Sequence, residues 1–443
     1  MSPADAVEVL VGNPFDVRPQ RFAGAVAALS RPSTAASLIR DFSDRGIAAA
    51  ERALLAVAHA SACTSPSALA RVLGSDVLPA ALVRKLPHAR GEYLTVGGAA
   101  GRCVRALGYV RGNSEAMVEV RRATWAACFG DSLIHALVLA PVIRDHDVLV
   151  LGETGTGKEA VARALQEGAL GGHDGGPAPR AALNIAAVPE TLVAAELFGH
   201  VKGAFTGANE SRIGQIRSAH GGSLFLDEIG DLLPSTQVKL LRVMETNEVS
   251  PLGSDKTHRA SCRYIAATHR DLDAMVASGH FRRDLHQRLA GMVIRLPPLR
   301  DRPDDILTIG QAFVDRYLPH GSLPSTRQRI GAWLASDEAR RHVWPGNVRE
   351  LENAIRTMLL GLPPHLDASR SSEAVATSSN EENVPRGIRD ASATMDELTA
   401  WYARRVVDRH AGNLARAART MGVDRNTVRR RLERGTKRKS ARR

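Results

Sequence analysis

The feature of this sequence that most constrains its fold is the segment GETGTGKE at Gly152–Glu159. It follows the apolar run Asp147–Leu151 and opens a stretch, EAVARALQEG, with the apolar spacing of a helix. In a strand, glycine-rich loop and helix of this kind, backbone N–H groups surround phosphate oxygens and the lysine, here Lys158, reaches the β and γ phosphates. The general pattern ends in Ser or Thr, whose hydroxyl meets Mg²⁺, whereas Glu159 stands in that place. The residues predicted to bind a nucleotide through this loop are Gly152, Glu153, Thr154, Gly155, Thr156, Gly157, Lys158 and Glu159.

Two acidic residues, Asp227 and Glu228, follow a second apolar run, Leu224–Leu226. In a phosphate-loop ATPase the first acid positions Mg²⁺ and the second polarises the attacking water. Two acids that merely end a buried strand are common when they stand alone. The phosphate loop about seventy residues upstream favours the catalytic interpretation. We therefore expect ATP and Mg²⁺ as cofactors, with Asp227 as the metal ligand.

The basic charge of the chain is concentrated at its C-terminus. From Trp401 onward there are 15 Lys and Arg against three acids, whereas the net charge of all 443 residues is +12. The rest of the chain is therefore close to neutral. A basic terminal segment on a neutral body is typical of a nucleic-acid-binding module, although the last residues, GTKRKSARR, taken alone would suit a solvated tail.

The segment Asn413–Arg434 has the pattern of a helix-turn-helix. Asn413 and Asp424 can each cap a helix, and Gly422 lies in the turn between them. The second helix of such a motif enters the major groove of DNA. An amphipathic dimerisation helix is the alternative, and the density of arginines argues against it. The residues predicted to contact double-stranded DNA are Arg425, Asn426, Thr427, Arg429, Arg430, Arg431 and Arg434.

Composition and periodicity divide the chain into five segments. Residues 1–111 have apolar positions at helical spacing and are expected to form a helical regulatory domain, whose signal the sequence does not identify. Residues 112–300 alternate strand-like and helical runs and residues 301–362 are helical, which predicts an α/β subdomain followed by a helical lid. Residues 363–394 are polar and predict a flexible linker. Residues 395–443 are helical and basic.

The N-terminal sequence MSPADAVEVL lacks the basic start and apolar stretch of a signal peptide, and no apolar run approaches the ~20 residues that span a bilayer. The cysteines show no metal-ligand spacing and are expected to be reduced thiols. They are Cys63, Cys103, Cys128 and Cys262. We therefore expect a soluble, cytoplasmic protein with no membrane partner.

Five longer segments are more specific than any single motif. They are ELFGHVKGAFTGA (Glu196–Ala208), GGSLFLDEIGD (Gly221–Asp231), FRRDLHQRL (Phe281–Leu289), LPPLRDRPDDI (Leu296–Ile306) and WPGNVRELENAI (Trp344–Ile355). On these segments the chain resembles the AAA+ activators of sigma-54 RNA polymerase, also called bacterial enhancer-binding proteins. The resemblance covers about Gly112 to Leu360 and the C-terminal block, which is similar to their Fis-type helix-turn-helix. The stretch between Met117 and Val148 is longer than the family usually has before its phosphate-loop strand.

The resemblance implies roles for residues outside the phosphate loop and the acidic pair. Asn184 would restrain Glu228 until the nucleotide state changes. Thr268, with His269, would be the first sensor of the nucleotide, and Arg349 would be the second, which contacts the nucleotide from the lid.

Arg282 and Arg288 match the arginine fingers of the family, which reach the γ-phosphate on a neighbouring subunit. A guanidinium suits this role because its paired donors match the charge spread over phosphoryl oxygens. Outside these motifs, both arginines would be read as solvated surface charge. A site shared between subunits implies a homo-oligomeric ring, typically a hexamer in this family.

The segment GAFTGA contains no ionisable group and is not expected to do chemistry. Its glycines suit a mobile loop tip that presents an apolar ring and a hydroxyl, and a plain glycine-rich turn is the alternative. In the family, this loop contacts sigma-54. The residues predicted to bind that partner are Gly203, Ala204, Phe205, Thr206, Gly207 and Ala208.

The sequence therefore predicts an ATP-dependent transcriptional activator that binds upstream DNA and remodels sigma-54 RNA polymerase into the open promoter complex, in the bacterial cytoplasm and in association with the nucleoid. The alternative is a AAA+ remodeller of a protein unrelated to transcription, which would lack GAFTGA and the helix-turn-helix. A DNA-binding repressor with a nucleotide-sensing domain is a third possibility, and Glu228 and the two finger arginines argue against it. The expected fold is an α/β AAA+ phosphate-loop domain with a helical lid, a helical N-terminal domain and an all-α C-terminal helix-turn-helix.

Overall fold

The computed structural model describes residues 1–64, 84–170, 177–319, 321–366, 395–410 and 413–430. They belong to two compact units, Met1–Leu366 and Asp367–Arg443. The first unit contains an N-terminal group of helices, a parallel sheet and a helical lid, and the second contains the C-terminal helices.

Helices occupy the described chain before the phosphate-loop strand. The first three begin with proline, which suits the first helical position because its missing N–H has no partner there. Their bounds are α1 Pro3–Val11, α2 Pro19–Leu29, α3 Pro32–Ser43, α4 Ile47–Thr64, α5 Arg90–Leu107, α6 Glu115–Phe129, α7 Leu133–Val138 and α8 Ala140–Asp145. Helices α4 and α5 cross closely, since a Cβ added to Gly97 would lie 2.3 Å from the Cβ of Ala58. The long stretch before the phosphate-loop strand thus consists largely of α6, α7 and α8.

The strands are β1 Val148–Leu151, β2 Arg180–Asn184, β3 Gly199–His200, β4 Arg212–Ile213, β5 Ser223–Asp227, β6 Glu248–Val249, β7 His258–Arg259, β8 Arg263–Thr268 and β9 Met292–Arg295. Five of them form a parallel sheet in the order β2–β5–β8–β1–β9, and the others pair as two short antiparallel ribbons, β3–β4 and β6–β7. The helices between the strands are α9 Lys158–Glu167, α10 Glu190–Phe198, α11 Gln215–Ser218, α12 Pro234–Thr246, α13 Leu272–Ala277 and α14 Arg283–Leu289.

The two faces of the sheet belong to different apolar cores, because successive side chains of a strand point to opposite faces. Val148 and Val150 pack with α9 and with the N-terminal helices in one core. Leu149 packs on the other face with residues of α10, α12 and α14. The N-terminal helices and the sheet therefore share a continuous core. The predicted boundary between residues 111 and 112 stays a prediction.

The lid consists of α15 Asp304–Tyr317, α16 Pro324–Leu334, α17 Asp337–Arg341 and α18 Asn347–Leu359. Its core surrounds the fully buried Trp344, whose Nε1 donates a hydrogen bond of 2.9 Å to the carbonyl of Ala339. The lid thus has an apolar core separate from the two cores of the sheet.

The second unit contains α19 Met395–Arg409 and α20 Leu414–Thr420, and residues 425–430 are also helical. Asn413 Oδ1 accepts hydrogen bonds from the backbone N–H groups of Ala415 and Arg416, both 3.1 Å, which caps α20. The predicted fold, an α/β phosphate-loop domain with a helical lid, a helical N-terminal region and a C-terminal helix-turn-helix, is confirmed. In the part of the chain that the structure describes, each helix is either too short or too polar to span a bilayer.

Candidate active site

The phosphate loop joins β1 to α9 at one edge of the sheet. Gly155 and Gly157 have positive φ angles of 80° and 110°, a backbone conformation that glycine adopts without strain. The buried ammonium of Lys158 donates to the carbonyl oxygens of Gly152 at 2.8 Å and Glu153 at 3.3 Å. Burial lowers the pKa of Lys158, and the charges of Glu228 and Asp227 oppose that shift. Lys158 is therefore fixed inside the loop.

The remaining predicted loop residues differ in exposure. Thr154 and Glu159 are exposed, whereas Thr156 is buried and its hydroxyl donates to the carbonyl of Glu153 at 2.7 Å. The carboxylate of Glu153 faces the lid side and pairs with Arg300 at 2.6 Å. The hydrogen bond from Arg300 lowers the pKa of Glu153.

Asn347 connects the lid to the phosphate loop, a role that the sequence did not reveal. Its side chain is fully buried at the start of α18 and donates to the carbonyl of Thr154 at 3.0 Å and to Glu153 Oε2 at 3.1 Å. Its Oδ1 accepts from the backbone N–H of Leu299 at 2.7 Å. Its φ of 52° is a left-handed conformation that asparagine tolerates better than most residues. Its place in WPGNVREL was the available signal.

A buried ion pair joins the segment before α6 to the lid. Arg302 and Asp305 lie 3.8 Å apart, with both side chains 1% exposed. Arg302 also donates to the carbonyl of Arg111 at 3.1 Å, and Asp305 Oδ1 accepts from the backbone N–H groups of Asn113 and Ser114. The sequence did not single out these contacts.

A pocket of about 150 Å³ lies beside the phosphate loop, between the segment before α6 and the lid. Its walls combine an aromatic ring from each side with aliphatic and arginine side chains. They are formed by Tyr109, Val110, Arg111, Thr156, Gly157, Phe313, Arg316 and Val348. Of these, the sequence had pointed only to Thr156 and Gly157.

Asp227 is the last residue of β5 and Glu228 follows it, at the same end of the strands as the phosphate loop. Glu228 has a left-handed backbone with φ of 55°. Glu228 Oε1 lies 3.9 Å from Lys158 Nζ, and Oε2 contacts His269 Nδ1 at 2.8 Å and accepts from Thr268 Oγ1 at 3.3 Å. Lys158, Glu228 and the two residues predicted to be the first sensor, Thr268 and His269, are thus brought together.

The two acids have opposite pKa shifts. Burial and the neighbouring charge of Glu228 raise the pKa of Asp227. Burial also acts to raise the pKa of Glu228, but the hydrogen bond from His269 and the charge of Lys158 outweigh it, so that pKa is lowered. Glu228 is therefore ionised at neutral pH.

Asn184 contacts Asp227, whereas the family resemblance implies that it restrains Glu228. Its Nδ2 donates to Asp227 Oδ2 at 2.9 Å. The reason is the register of the sheet, in which Asn184 on β2 lies opposite Asp227 on β5. In this arrangement it is His269 that holds Glu228.

Arg349 is exposed on α18, next to the phosphate loop. A Cβ added to Gly155 would lie 3.3 Å from the Cβ of Arg349. Arg282 pairs with Asp284 at 2.7 Å. Arg288 lies at the opposite end of the strands from the phosphate loop. It is 3.6 Å from the carboxylate of Asp147, the residue before β1. A strand rises about 3.3 Å per residue, so Asp147 and the loop after β1 are roughly 16 Å apart. Neither arginine belongs to the cluster around Lys158 of its own chain.

The GAFTGA segment forms a compact turn. The N–H of Gly203 donates to the carbonyl of Ala208 at 2.8 Å, which closes the turn, and Ala208 is buried. Gly203 and Gly207 have positive φ angles, and a Cβ added to either would meet nothing within 4 Å. Thr206 is exposed, whereas the ring of Phe205 is half-buried against His200, with 5.1 Å between ring centroids.

In the C-terminal unit, Asp424 caps the helix at residues 425–430 by accepting from the N–H groups of Asn426 at 2.8 Å and Thr427 at 2.9 Å. The hydrogen bonds from Thr427 lower the pKa of Asp424. Val428 is buried. Exposed on this helix are Arg425, Asn426, Arg429 and Arg430, with Thr427 half-buried. Arg431 and Arg434 lie outside the described residues.

Three protein-family models match the chain. The model described as the Sigma-54 interaction domain matches residues 134–295, the AAA+ ATPase lid domain matches residues 300–382, and the bacterial regulatory protein, Fis family, matches residues 404–435. The matches lie on the sheet with its surrounding helices, on the lid and on the helix-turn-helix.

Individual proteins show the same similarity. The chain is similar to the transcriptional regulatory protein ZraR of Klebsiella oxytoca, with 39% identity over 329 residues that cover 72% of each chain. It is similar to the sigma54-dependent transcriptional activator SfnR of Pseudomonas putida, with 47% identity over 232 residues, 52% of this chain and 60% of SfnR. The crystal structure of NtrX from Brucella abortus is 26% identical, covers 78% of this chain and 73% of its own, and has a TM-score of 0.47. On the sequence matches, the chain belongs to the family of sigma-54-dependent transcriptional regulators, with an ATPase-type AAA+ domain, its lid and a Fis-type DNA-binding domain.

Proposed function

We propose that this protein is an ATP-dependent transcriptional activator that binds upstream DNA and remodels sigma-54 RNA polymerase into the open promoter complex. The observation that carries the proposal is the cluster of Lys158, Glu228 and His269. It combines a phosphate-binding ammonium with an ionised carboxylate that a sensor side chain holds in place.

The nucleotide lies between the sheet and the lid. Its phosphates contact the backbone N–H groups of the phosphate loop and Lys158. The pocket between Tyr109 and Phe313 adjoins the loop and receives the base, which stacks well on apolar and aromatic walls. Arg349 contacts the phosphates from α18. Because Asn347 hydrogen-bonds the loop, a change at the phosphates is transmitted to the lid.

Hydrolysis requires a base near the γ-phosphate, and Glu228 fills this role because it is ionised and close to Lys158. The carboxylate of Asp227, oriented by Asn184, would hold Mg²⁺, which would supply positive charge next to the phosphates when bound. Glu228 is free to polarise water only when its contact with His269 is released. The contact therefore makes turnover depend on the nucleotide state.

Arg282 and Arg288 act on the nucleotide of a neighbouring subunit in a homo-oligomeric ring, taken as a hexamer. The position of Arg288 at the far edge of its own sheet supports this arrangement. An exposed apolar patch on α7 and α8, formed by Val138, Leu139 and Val142, supports a subunit contact nearby, since α8 ends at Asp145, a partner of Arg288. The occupant of this patch is a second copy of the chain.

The turn at Gly203–Ala208 contacts sigma-54. Phe205 is half-buried against His200, so its ring becomes fully available when the turn leaves this position. Gly203 and Gly207 allow such a movement because they lack side chains to repack.

The helix at residues 425–430 inserts into the major groove of DNA upstream of the promoter, and the protein works in the bacterial cytoplasm on the nucleoid. The exposure of Arg425, Asn426 and Arg430 supports base and phosphate contacts.

The test is ATP-dependent open-complex formation by the full-length protein with sigma-54 RNA polymerase on a promoter that carries its upstream site. The same reaction with sigma-70 polymerase is the control. We expect opening with the first polymerase only. Stimulation of neither polymerase by an ATPase-active preparation would contradict the proposal.

A further inference from the structure

The carboxylate of Asp147 is buried and only half of it is used within the sheet. Asp147 precedes β1, and its side chain is 2% exposed. Its Oδ1 accepts the backbone N–H of Tyr264 at 2.8 Å, which joins it to β8. Its Oδ2 has no hydrogen-bond partner among the described residues. The closest ion-pair contact of that oxygen is Arg288 Nε, at 3.6 Å.

Arg288 lies between a buried acid and an exposed one. Its Nε faces Asp147, while its Nη2 lies 3.4 Å from Oδ1 of Asp145, a side chain that is 79% exposed. A guanidinium is planar and offers five N–H donors, so fixing the Nε edge also fixes the direction of both Nη groups. The Arg288 side chain is 35% exposed, which leaves its outer donors accessible to a partner.

Burial would ordinarily drive such a carboxyl to its neutral form. Burial raises the pKa of Asp147 to about 6, while the N–H of Tyr264 and the cations Arg288 and Arg263 act against that shift. The negative charge of the exposed Asp145 also raises the pKa of Asp147, by a smaller amount. Asp147 is therefore ionised at neutral pH and attracts the Arg288 guanidinium.

We propose that Asp147 is a positioning residue for Arg288, holding its guanidinium so that the Nη groups project from one subunit toward the γ-phosphate bound by the next. The inference rests on the proposed function, because it requires Arg288 to act in trans. A finger that is already oriented loses less freedom when it meets the phosphate, and this lowers the barrier of the shared reaction.

Asp145 provides a matched contrast because it contacts the same guanidinium with the same charge. Its exposed carboxylate competes with phosphate oxygens for Nη2 and contributes little to holding the arginine, since exposed ion pairs are weak. Removal of the two charges therefore has different consequences. Loss of the Asp147 charge slows hydrolysis, whereas loss of the Asp145 charge does not.

The experiment compares Asp147→Asn with Asp145→Asn in the full-length protein, by steady-state ATP hydrolysis at a protein concentration that saturates assembly. Asparagine retains the size of Asp147 and the oxygen that accepts the N–H of Tyr264. We expect Asp147→Asn to lower kcat about tenfold with KM for ATP within about twofold of wild type, because orientation and not nucleotide binding is lost. For Asp145→Asn we expect a kcat equal to wild type or up to about threefold higher.

Mixed rings separate a positioning role from a structural one. Lys158→Ala subunits have an inactive nucleotide site but an unaltered Arg288, so mixing them with Asp147→Asn subunits should restore activity per intact site. Damage to the Asp147→Asn subunit's own site would not be restored in this way. On an Arg288→Ala background, Asp147→Asn should cause no further loss.

A wild-type kcat in Asp147→Asn, a loss that Lys158→Ala subunits do not restore, or a further loss on the Arg288→Ala background would overturn the positioning role and leave the proposed function standing. Wild-type hydrolysis by Arg288→Ala would instead contradict the finger in the proposed function, and the positioning role with it. A melting temperature of Asp147→Asn no lower than wild type confirms that the comparison is between folded proteins.

Discussion

At the scale of single residues, Lys158 and Glu228 lie close together but have separable tasks. Lys158 contacts phosphate in the bound state, so Lys158→Ala should weaken nucleotide affinity about a hundredfold, as expected for a lost charged hydrogen bond near 3 kcal/mol. Glu228→Gln removes the base and should keep binding while lowering turnover about a hundredfold or more. Fluorescent-nucleotide titration and phosphate release measure the two effects. Hydrolysis at the wild-type rate by Glu228→Gln would show that Glu228 is not the base.

The burial of Asp147 also affects stability. We expect Asp147→Asn to stabilise the fold although it lowers turnover. Its pKa of about 6 in the folded state lies above the usual value of 3.8. The folded state therefore holds this proton to higher pH than the unfolded state does. The resulting contribution to the free energy of unfolding is up to about 3 kcal/mol. It is fully present below about pH 4 and is lost as the pH rises through about 6.

Asp147→Asn removes that ionisation, so its melting temperature should exceed that of wild type at about pH 8, with a difference that shrinks toward about pH 5. Asp145→Asn is the control, because it removes the same charge from a side chain that is 79% exposed. A lower melting temperature of Asp147→Asn at about pH 8 would mean that the ionised carboxylate stabilises the fold.

The residues of the candidate site were predictable to different degrees. Lys158, Asp227 and Glu228 could be found because each occupies a fixed place in a short linear motif. The contact of Asn184 with Asp227 could not, since it depends on the pairing of β2 with β5, which brings together residues 43 positions apart. The same holds for Asn347, which is 193 residues from the carbonyl that it contacts.

At the scale of elements, the turn at Gly203–Ala208 is separate from the nucleotide cluster. Thr206 is exposed and lacks a catalytic group, so Thr206→Ala should retain at least about half of ATP hydrolysis. It should abolish open-complex formation, because the hydroxyl lies on the surface proposed to contact sigma-54. Hydrolysis and promoter opening are measured on one preparation. Parallel loss of both would assign the turn a structural role.

The apolar patch on α7 and α8 is expected to contribute to assembly of the ring. ATPase specific activity should rise with protein concentration, and Val142→Glu should shift that rise to higher concentration by about tenfold, because a charge opposes burial of an apolar surface. Val142→Leu keeps the surface apolar and is the matched control. Analytical ultracentrifugation measures assembly directly. A rise that Val142→Glu does not shift would mean that the patch is not part of the subunit contact.

Elements with strong local patterns could be predicted, whereas their packing could not. The strand, loop and helix around Gly152 were evident from apolar periodicity and glycine spacing. The stretch after Met117 was recognised only as long, and its helices α6–α8 pack into the core that the sheet shares with the N-terminal helices. That arrangement depends on contacts between distant residues, such as Trp125 with His59, for which the sequence has no local signal.

At the scale of the whole molecule, the basic C-terminus and the ATPase are expected to function separately. Deletion of the residues after Asp390 should leave a protein that assembles and hydrolyses ATP, since the segment before it is polar. Specific DNA binding should be lost, together with its steep dependence on salt concentration. Mobility-shift competition between specific and random DNA tests this expectation. Unchanged specific binding by the truncated protein would refute the assignment of the DNA-binding segment.

Within the DNA-binding segment, base-reading and phosphate contacts should differ. Arg430→Ala should relax sequence preference by about 1–3 kcal/mol at one base pair. Substitutions in the run Lys437–Lys439, which lies outside the described residues, should lower affinity for all sequences alike.

Promoter melting by the full-length protein on sigma-54 promoter DNA, detected by the permanganate reactivity of unpaired thymines, tests whether ATP hydrolysis at Lys158 and Glu228 drives promoter opening. ATP should produce melting with wild type, and a non-hydrolysable ATP analogue should not. Glu228→Gln should bind ATP and the DNA site yet fail to melt the promoter. Melting by wild type with the analogue, or by Glu228→Gln with ATP, would contradict the claim that hydrolysis at this site drives promoter opening.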